Sequence, residues 1–307
     1  MNSEQKIKLT TLSSQAIKWH CRLDRYTSLA IGGPADALIK VEKREELQQL
    51  LAFLIKEQIP WRVVGRGTNL LVKDKGFAGV IFLLGGDFNN IERDAAGAAD
   101  SVIVKAGAGS SLTQISFRCI EWGLTGVEFA CGIPGSLGGA VIMNAGAWGG
   151  EMSSIVENVR LMTADGEKIF ARHELDFSYR CWKSFAPFLG KAVVTEVELK
   201  LKNADIDTIR QNCSILQDRR KQIQLCKYPN AGSFFKNPAN DSAGRLIDVS
   251  GLKGLTVGGA MISEHHGNFL VNKGNATAED VMNLMKIVQA KVKNDSGVAL
   301  EPEVHFI

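Results

Sequence analysis

Apolar positions along the first hundred residues change their period, and the change marks out elements. Leu47, Leu50, Leu51, Leu54 and Ile55 recur at three- and four-residue spacing, which predicts a helix over 44–58 with a single apolar face. On either side, ALIKV, WRVV, GVIFLL and SVIVKA are short β-branched and aliphatic runs and predict strands. A second helix is predicted over 111–121, with Leu112, Ile115, Cys119 and Ile120 inward. After a glycine-rich stretch the period returns to two: IVENVRLM, EKIF and AVVTEVELKL read as strands, the last alternating at Val193, Thr195, Val197, Leu199 and Leu201. A sheet-rich first domain closes near Lys202, and a charged helix follows from ADID through Asp218, Arg219, Arg220 and Lys221. The remainder predicts a short helix over 244–249, a strand at NFLVN and a helix over 278–292. Thr277 and Asp280 are placed to cap that last helix, and Val281, Leu284, Met285, Val288 and Val292 share its face. The terminal VALEPEVHFI reads as a strand. The whole is an α+β chain divided at 22–202 and 203–307.

Length and composition agree with two domains. The chain has 307 residues, enough for two ordinary cores, and 45% of them are apolar. A formal net charge of +3 with no block of like charges gives no sign of a nucleic-acid partner or of a membrane surface. The first residues, MNSEQKIKLT, lack the apolar stretch of a signal peptide, and runs such as LLAFLI are far short of a membrane span, so a cytoplasmic location is expected. Cys21, Cys119, Cys131, Cys181, Cys213 and Cys226 are too widely spaced for paired zinc ligands, and buried free thiols are expected. His265 and His266 are adjacent, hence on opposite sides of an extended chain; a hydrogen-bonded loop pair is expected there and no metal.

The chemistry concentrates where glycine does. Nine glycines fall within the 28 residues of 123–150, a density that costs conformational entropy and exposes backbone to close approach. GIPGSLGG, over 132–139, offers bare amides and the Ser136 hydroxyl to a diphosphate, with VEFA and AVIM beside it to cover an aromatic ring; a crowded loop against a sheet is the alternative. GRGTNLLV follows the strand WRVV and nearly fits a dinucleotide fingerprint. However, Leu70 stands at the third glycine position and another strand, where the Rossmann pattern needs a helix, so a tight turn fits this segment equally well.

The segment GVEFACGIPGSLGGAVIMNAGAWGGE resembles the flavin-binding signature of the UDP-N-acetylenolpyruvoylglucosamine reductases, the MurB family. TSLAIGGPADALI, GRGTNLLV, FSYR, NAGSFFKNP and LEPEV are similar to five further motifs of that family, in the same order, and together they span nearly all of the chain after the first two dozen residues. The resemblance implies an FAD-binding domain of the vanillyl-alcohol-oxidase type, made of two α+β subdomains, followed by a smaller α+β substrate domain whose final strand is open to a return to the FAD domain. It implies FAD held without a covalent bond by Gly65, Arg66, Gly67, Thr68 and Asn69 and by Gly132, Ile133, Pro134, Gly135, Ser136, Gly138 and Gly139. NADPH is the implied reductant and a UDP-sugar the implied substrate, namely UDP-N-acetylglucosamine enolpyruvate.

Three catalytic residues follow from the same resemblance. Arg180 of FSYR matches an arginine that contacts the enolpyruvyl carboxylate, a task suited to a planar, permanently charged fork. Ser233 of NAGSFFKNP matches the proton donor, and Glu303, the second acid of LEPEV, matches a glutamate that stabilises the developing enolate. Tyr179, Lys236 and Asn237 are candidate substrate contacts. By residue type alone each would be an ordinary turn or surface residue. The chain departs from the family where Arg66 sets a bulky cation in the first loop and where RRKQIQLCKYP lacks the usual lysine-glutamine-proline pattern, which leaves a phosphate role for Lys221 or Lys227 open. The short segment 181–190 resembles the subtype without a long tyrosine-bearing loop. A flavin oxidase of the same broad fold, or a nucleotide-sugar-binding regulator without activity, are the competing functions.

Overall fold

The computed structural model describes residues 1–94, 101–223 and 227–307; Cys226, expected as a buried thiol, lies outside the described residues. The chain folds as two compact units that are not consecutive segments: one holds 1–19, 37–65 and 79–220, the other 20–36, 66–78 and 221–307. The sequence division at Lys202 differs because Leu29, Ile31 and Leu71 from the early chain bury themselves with Phe234, Leu270 and Leu284 in the core of the later one.

In the first unit, α1 (Ser3–Leu12) precedes α2 (Arg44–Lys56), whose Leu47, Leu50, Leu51 and Leu54 are fully buried. Each such leucine contributes roughly 1.5–3 kcal/mol, far more than the helix gains from intrinsic propensity. They pack with strand residues Ile39, Val80 and Phe82. In the first sheet the strand residues of this unit, 37–41, 79–84 and 61–63, lie side by side in that order. The second runs Gly166–Ala171, Val156–Thr163, Ala192–Asn203, Val102–Gly107, Ile91–Arg93. Val197, at the middle of its long strand, lies opposite Val159 on one side and Ala106 on the other, which fixes the register of the buried face. This is the pair of α+β layers that the resemblance implies.

Helix α3 (Leu112–Glu121) begins at a capping box in which the Gln114 N–H donates to Ser111 Oγ at 3.1 Å. The structure then makes a short helix, α4 (Leu137–Ile142), inside what the sequence presents as a glycine loop. Leu137 and Val141 bury one helical turn apart, while Gly138 lies where a Cβ would meet the Cβ of Ala108 at 3.0 Å. Close backbone approach, not propensity, therefore places this helix. Among the described side chains of helix α5 (Ile206–Ile223), Ile209 and Cys213 are the fully buried apolar ones.

In the second unit the strands order as Asn230–Ser233, Phe269–Asn272, Ala260–Ile262, Thr256–Val257. Helices α6 (Ala243–Val249) and α7 (Ala278–Ser296) pack with them around Phe234, Leu246, Leu284 and Val288. The predicted Thr277–Asp280 cap forms, and Asp74 adds a second one by accepting the Ala278 and Glu279 N–H groups at 2.8 and 3.1 Å. The terminal segment is not the continuous strand expected. It makes a bridge, Phe235 to Pro302, and a two-residue parallel strand, His305–Phe306, against Leu70–Leu71; Pro302, which has no N–H, sits at the position of the bridge that needs none, since the bonds run from the Lys236 and Glu303 N–H groups.

The cysteines also differ from expectation. Cys131 and Cys213 form a disulfide, Cys181 is exposed, and Cys119 alone among the described residues is a fully buried thiol, pushed up to about 12 by burial and then by Glu128. Among the described residues no helix is long and apolar enough to cross a membrane.

Candidate active site

The two glycine motifs meet within the first unit. A Cβ on Gly65 would stand 2.2 Å from Ser136 Oγ, so the start of the first loop and the middle of the second share one small space. The second loop is laid along the segment after Val102–Gly107. The Leu137 N–H donates to the Ser110 carbonyl at 2.9 Å, the Gly138 N–H to the Ala108 carbonyl at 2.9 Å, and the Leu112 N–H to the Gly135 carbonyl at 3.1 Å. Gly132 opens the loop at φ +84°, in the left-handed region, and Ile133 packs its side chain toward the core while Pro134 and Gly139 are exposed. Beside it the Ser110 hydroxyl is buried with no hydrogen-bond partner. Bare backbone, the Ser136 hydroxyl and an orphaned serine fit a diphosphate-bearing cofactor.

The first motif continues into the second unit. Gly67 has φ +64°, and a Cβ there would lie 1.8 Å from the Tyr26 carbonyl oxygen. The Gly67 carbonyl accepts the Ser28 N–H at 3.0 Å, so TSLAIGG serves as the bed of this loop. Arg66 is exposed, and Thr68 and Asn69 are half-buried. Asn69 Nδ2 donates to the Glu303 carbonyl at 3.1 Å, and the Asn69 carbonyl accepts the His305 N–H at 3.0 Å.

Arg180 lies in the first unit at the tip of a hairpin in which Phe177 pairs with Trp182 and Ser178 with Cys181. Its φ is +57°, a conformation that glycine or asparagine usually fills, so the site accepts backbone strain to present an arginine. The guanidinium carbon sits 5.1 Å from the Tyr179 ring centre, and Tyr179 itself is exposed. The hairpin is tied to the glycine loop through α4. Asn144, just past that helix, is 1% exposed, donates Nδ2 to the Ser178 carbonyl at 3.1 Å and accepts the Ser153 N–H at 2.8 Å. Sequence analysis missed Asn144; its signal was an asparagine between a helix and a pair of glycine turns.

Ser233 and Glu303 are neighbours in the second unit. The Glu303 N–H donates to the Phe234 carbonyl at 2.8 Å, and Ser233 pairs with Phe269 on the adjoining strand. Asn268, also unanticipated and 2% exposed, holds this strand from beneath. Its side chain accepts the Phe235 N–H at 2.9 Å and donates to the Phe235 carbonyl at 2.8 Å. His266 Nδ1 in turn accepts the Asn268 N–H at 3.1 Å; burial, then Lys253, lowers its pKa. His266 is thus a hydrogen-bonded loop residue, and among the described residues no cluster of metal-ligating side chains exists. Lys236 joins the terminal segment, its N–H on the Glu301 carbonyl at 2.9 Å and Nζ 3.3 Å from the Glu301 carboxylate. The Asn237 side-chain oxygen accepts the Ala243 N–H at 3.0 Å, a bond at the start of α6.

The fold and glycine cradle agree with a match of residues 35–171 to a family model described as an FAD binding domain, and this defines a flavin-dependent oxidoreductase. Residues 224–307 match a model described as UDP-N-acetylenolpyruvoylglucosamine reductase, C-terminal domain. The chain is 42% identical to the UDP-N-acetylenolpyruvoylglucosamine reductase of Desulfosudis oleivorans, over 97% of each chain. It is 42% identical to that of Syntrophus aciditrophicus, over 98% of this chain and 95% of the relative. The crystal structure of the MurB enzyme from Thermus caldophilus superposes with a TM-score of 0.79 at 40% identity, covering 95% of this chain and 98% of that one. The chain belongs to the UDP-N-acetylenolpyruvoylglucosamine reductase family, MurB.

Proposed function

We infer that this protein uses NADPH and bound FAD to reduce UDP-N-acetylglucosamine enolpyruvate to UDP-N-acetylmuramate, a step in peptidoglycan precursor synthesis. The observation that carries the site assignment is the 2.8 Å bond from the Glu303 N–H to the Phe234 carbonyl, which sets an acid and a hydroxyl on adjoining chains. When bound, FAD supplies the relay by which reducing equivalents pass from NADPH to the sugar's enolpyruvyl group. The rest is the work of side chains. Glu303 stabilises negative charge that develops on the carboxylate of the substrate, and the Ser233 hydroxyl delivers a proton to the neighbouring carbon. Arg180 engages the same carboxylate through its fork, and Tyr179 supports it by the contact between ring and guanidinium. Lys236 and Asn237 line the substrate side.

Gly65, Arg66, Gly67, Thr68 and Asn69 and the loop 132–139 hold FAD without a covalent bond. The protein works in the cytoplasm, where NADPH and nucleotide sugars are made. The experiment is a visible spectrum under nitrogen: yellow protein bleached by NADPH and recoloured by the enolpyruvyl sugar. Protein that NADPH does not bleach, or that only oxygen recolours, overturns the assignment in favour of an oxidase or a protein without turnover.

A further inference from the structure

Helix α5 meets the cofactor loop at two points two turns apart. Cys213 is bonded to Cys131, the residue immediately before Gly132, with Cα atoms 5.8 Å apart and both side chains fully buried. Seven residues on, and so on the same face, Arg220 lies over Gly132, where a Cβ would meet Arg220 Cδ at 3.3 Å. Arg220 Nε is buried there with no hydrogen-bond partner. Elsewhere α5 holds to its unit weakly, for among its described side chains Ile209 is the one other apolar residue that is fully buried. An 18-residue helix seated on so little depends on its covalent link, and that link ends on the backbone whose shape the loop needs.

We propose that Cys131 and Cys213 form a reversible redox latch, whose disulfide clamps α5 onto the Gly132–Gly139 loop and whose dithiol form loosens the loop and its hold on FAD. The inference rests on the assignment of this loop to FAD. The reaction is thiol–disulfide exchange with a low-molecular-weight disulfide such as oxidised glutathione. One cysteine thiolate attacks the oxidant, releasing one thiol and leaving a mixed disulfide; the second thiolate attacks the protein sulfur, releasing the other thiol. Two electrons and two protons pass to the oxidant, and a dithiol reductant reverses the step. Disulfides in reducing compartments are commonly of this transient, sensing kind.

The test uses the full-length FAD-loaded protein equilibrated with oxidised glutathione or with dithiothreitol. Thiols counted in denaturant should rise by two on reduction. Flavin fluorescence after dilution should show FAD released roughly tenfold faster from the reduced form, and Tm should fall by roughly 5–10 °C. Cys213→Ala should behave as the reduced protein under both conditions, and Cys131→Ser gives the same readout if that variant folds poorly. Equal thiol counts in both states, or different counts with equal FAD release, overturn the latch. The loop assignment fails separately, if Gly135→Val retains FAD as the wild type does.

Discussion

Asn69 holds Glu303 by the backbone just past its side chain, donating Nδ2 to the Glu303 carbonyl at 3.1 Å and accepting the His305 N–H on its own carbonyl at 3.0 Å. A residue of the first glycine motif thereby fixes the acid expected at the reaction centre. Asn69→Ala, measured per bound flavin because Asn69 also belongs to the proposed FAD loop, should slow reduction of the enolpyruvyl sugar by about tenfold, the cost of one lost hydrogen bond of roughly 1–1.5 kcal/mol. Stopped-flow traces of the two half-reactions separate these outcomes, and loss of FAD alone would return Asn69 to a pure cofactor contact.

Gly67 tests the bed beneath that loop. A methyl group at φ +64° and 1.8 Å from the Tyr26 carbonyl cannot be relieved by a side-chain rotation, because the obstacle is backbone. Gly67→Ala should cost at least about 2 kcal/mol. Thermal unfolding measures it, and an unchanged Tm would mean that the loop relaxes freely.

Arg180→Lys keeps the charge and removes the fork. Bleaching by NADPH should stay near the wild-type rate while the sugar half-reaction falls by roughly 10²-fold or more. Equal losses in both halves would instead make Arg180 a structural residue of its hairpin.

Ser233→Ala should bind FAD and be bleached normally, since the clamp on the neighbouring chain joins the Asn268 amide to the Phe235 backbone and does not use the Ser233 hydroxyl. Recolouring by the sugar should slow by roughly 10²–10⁴-fold for want of a positioned acid. Ser233→Cys should recover part of that rate. Wild-type recolouring in the alanine variant would remove Ser233 from the chemistry.

His266 gives the fold a pH dependence. Its pKa is lowered from the ordinary 6.5 by burial first and Lys253 second. The unfolded chain therefore takes up a proton near pH 6.5 that the folded chain refuses. Stability from this group is intact above about pH 6.5 and is lost as the pH falls below it. Tm should drop between about pH 7 and pH 5.5, and His266→Asn should flatten that drop; an equal slope in the variant assigns the effect to other groups.

Local pattern fixed the elements whose apolar face is continuous. The spacing of Leu47, Leu50, Leu51 and Leu54 made α2 legible, and the Thr277–Asp280 pair marked the start of α7, because each signal is complete within a few neighbouring residues. The ordered motifs also put forward Arg180, Ser233 and Glu303, which stand as the proposed catalytic residues. Other features depend on residues that are distant in the chain. Helix α4 forms because Gly138 can close on Ala108; the terminal segment pairs with Phe235 at Pro302 and then with Leu70 at His305; Asp74 caps a helix that begins at Ala278. The same holds for Asn144 and Asn268, whose amides matter only because Ser178 and Phe235 arrive beside them, and for Cys131 and Cys213, 82 residues apart. Hydrophobic periodicity carries the direction in which a side chain points, whereas the partner it meets is set by loop closure and packing, so tertiary structure alone decided these pairs.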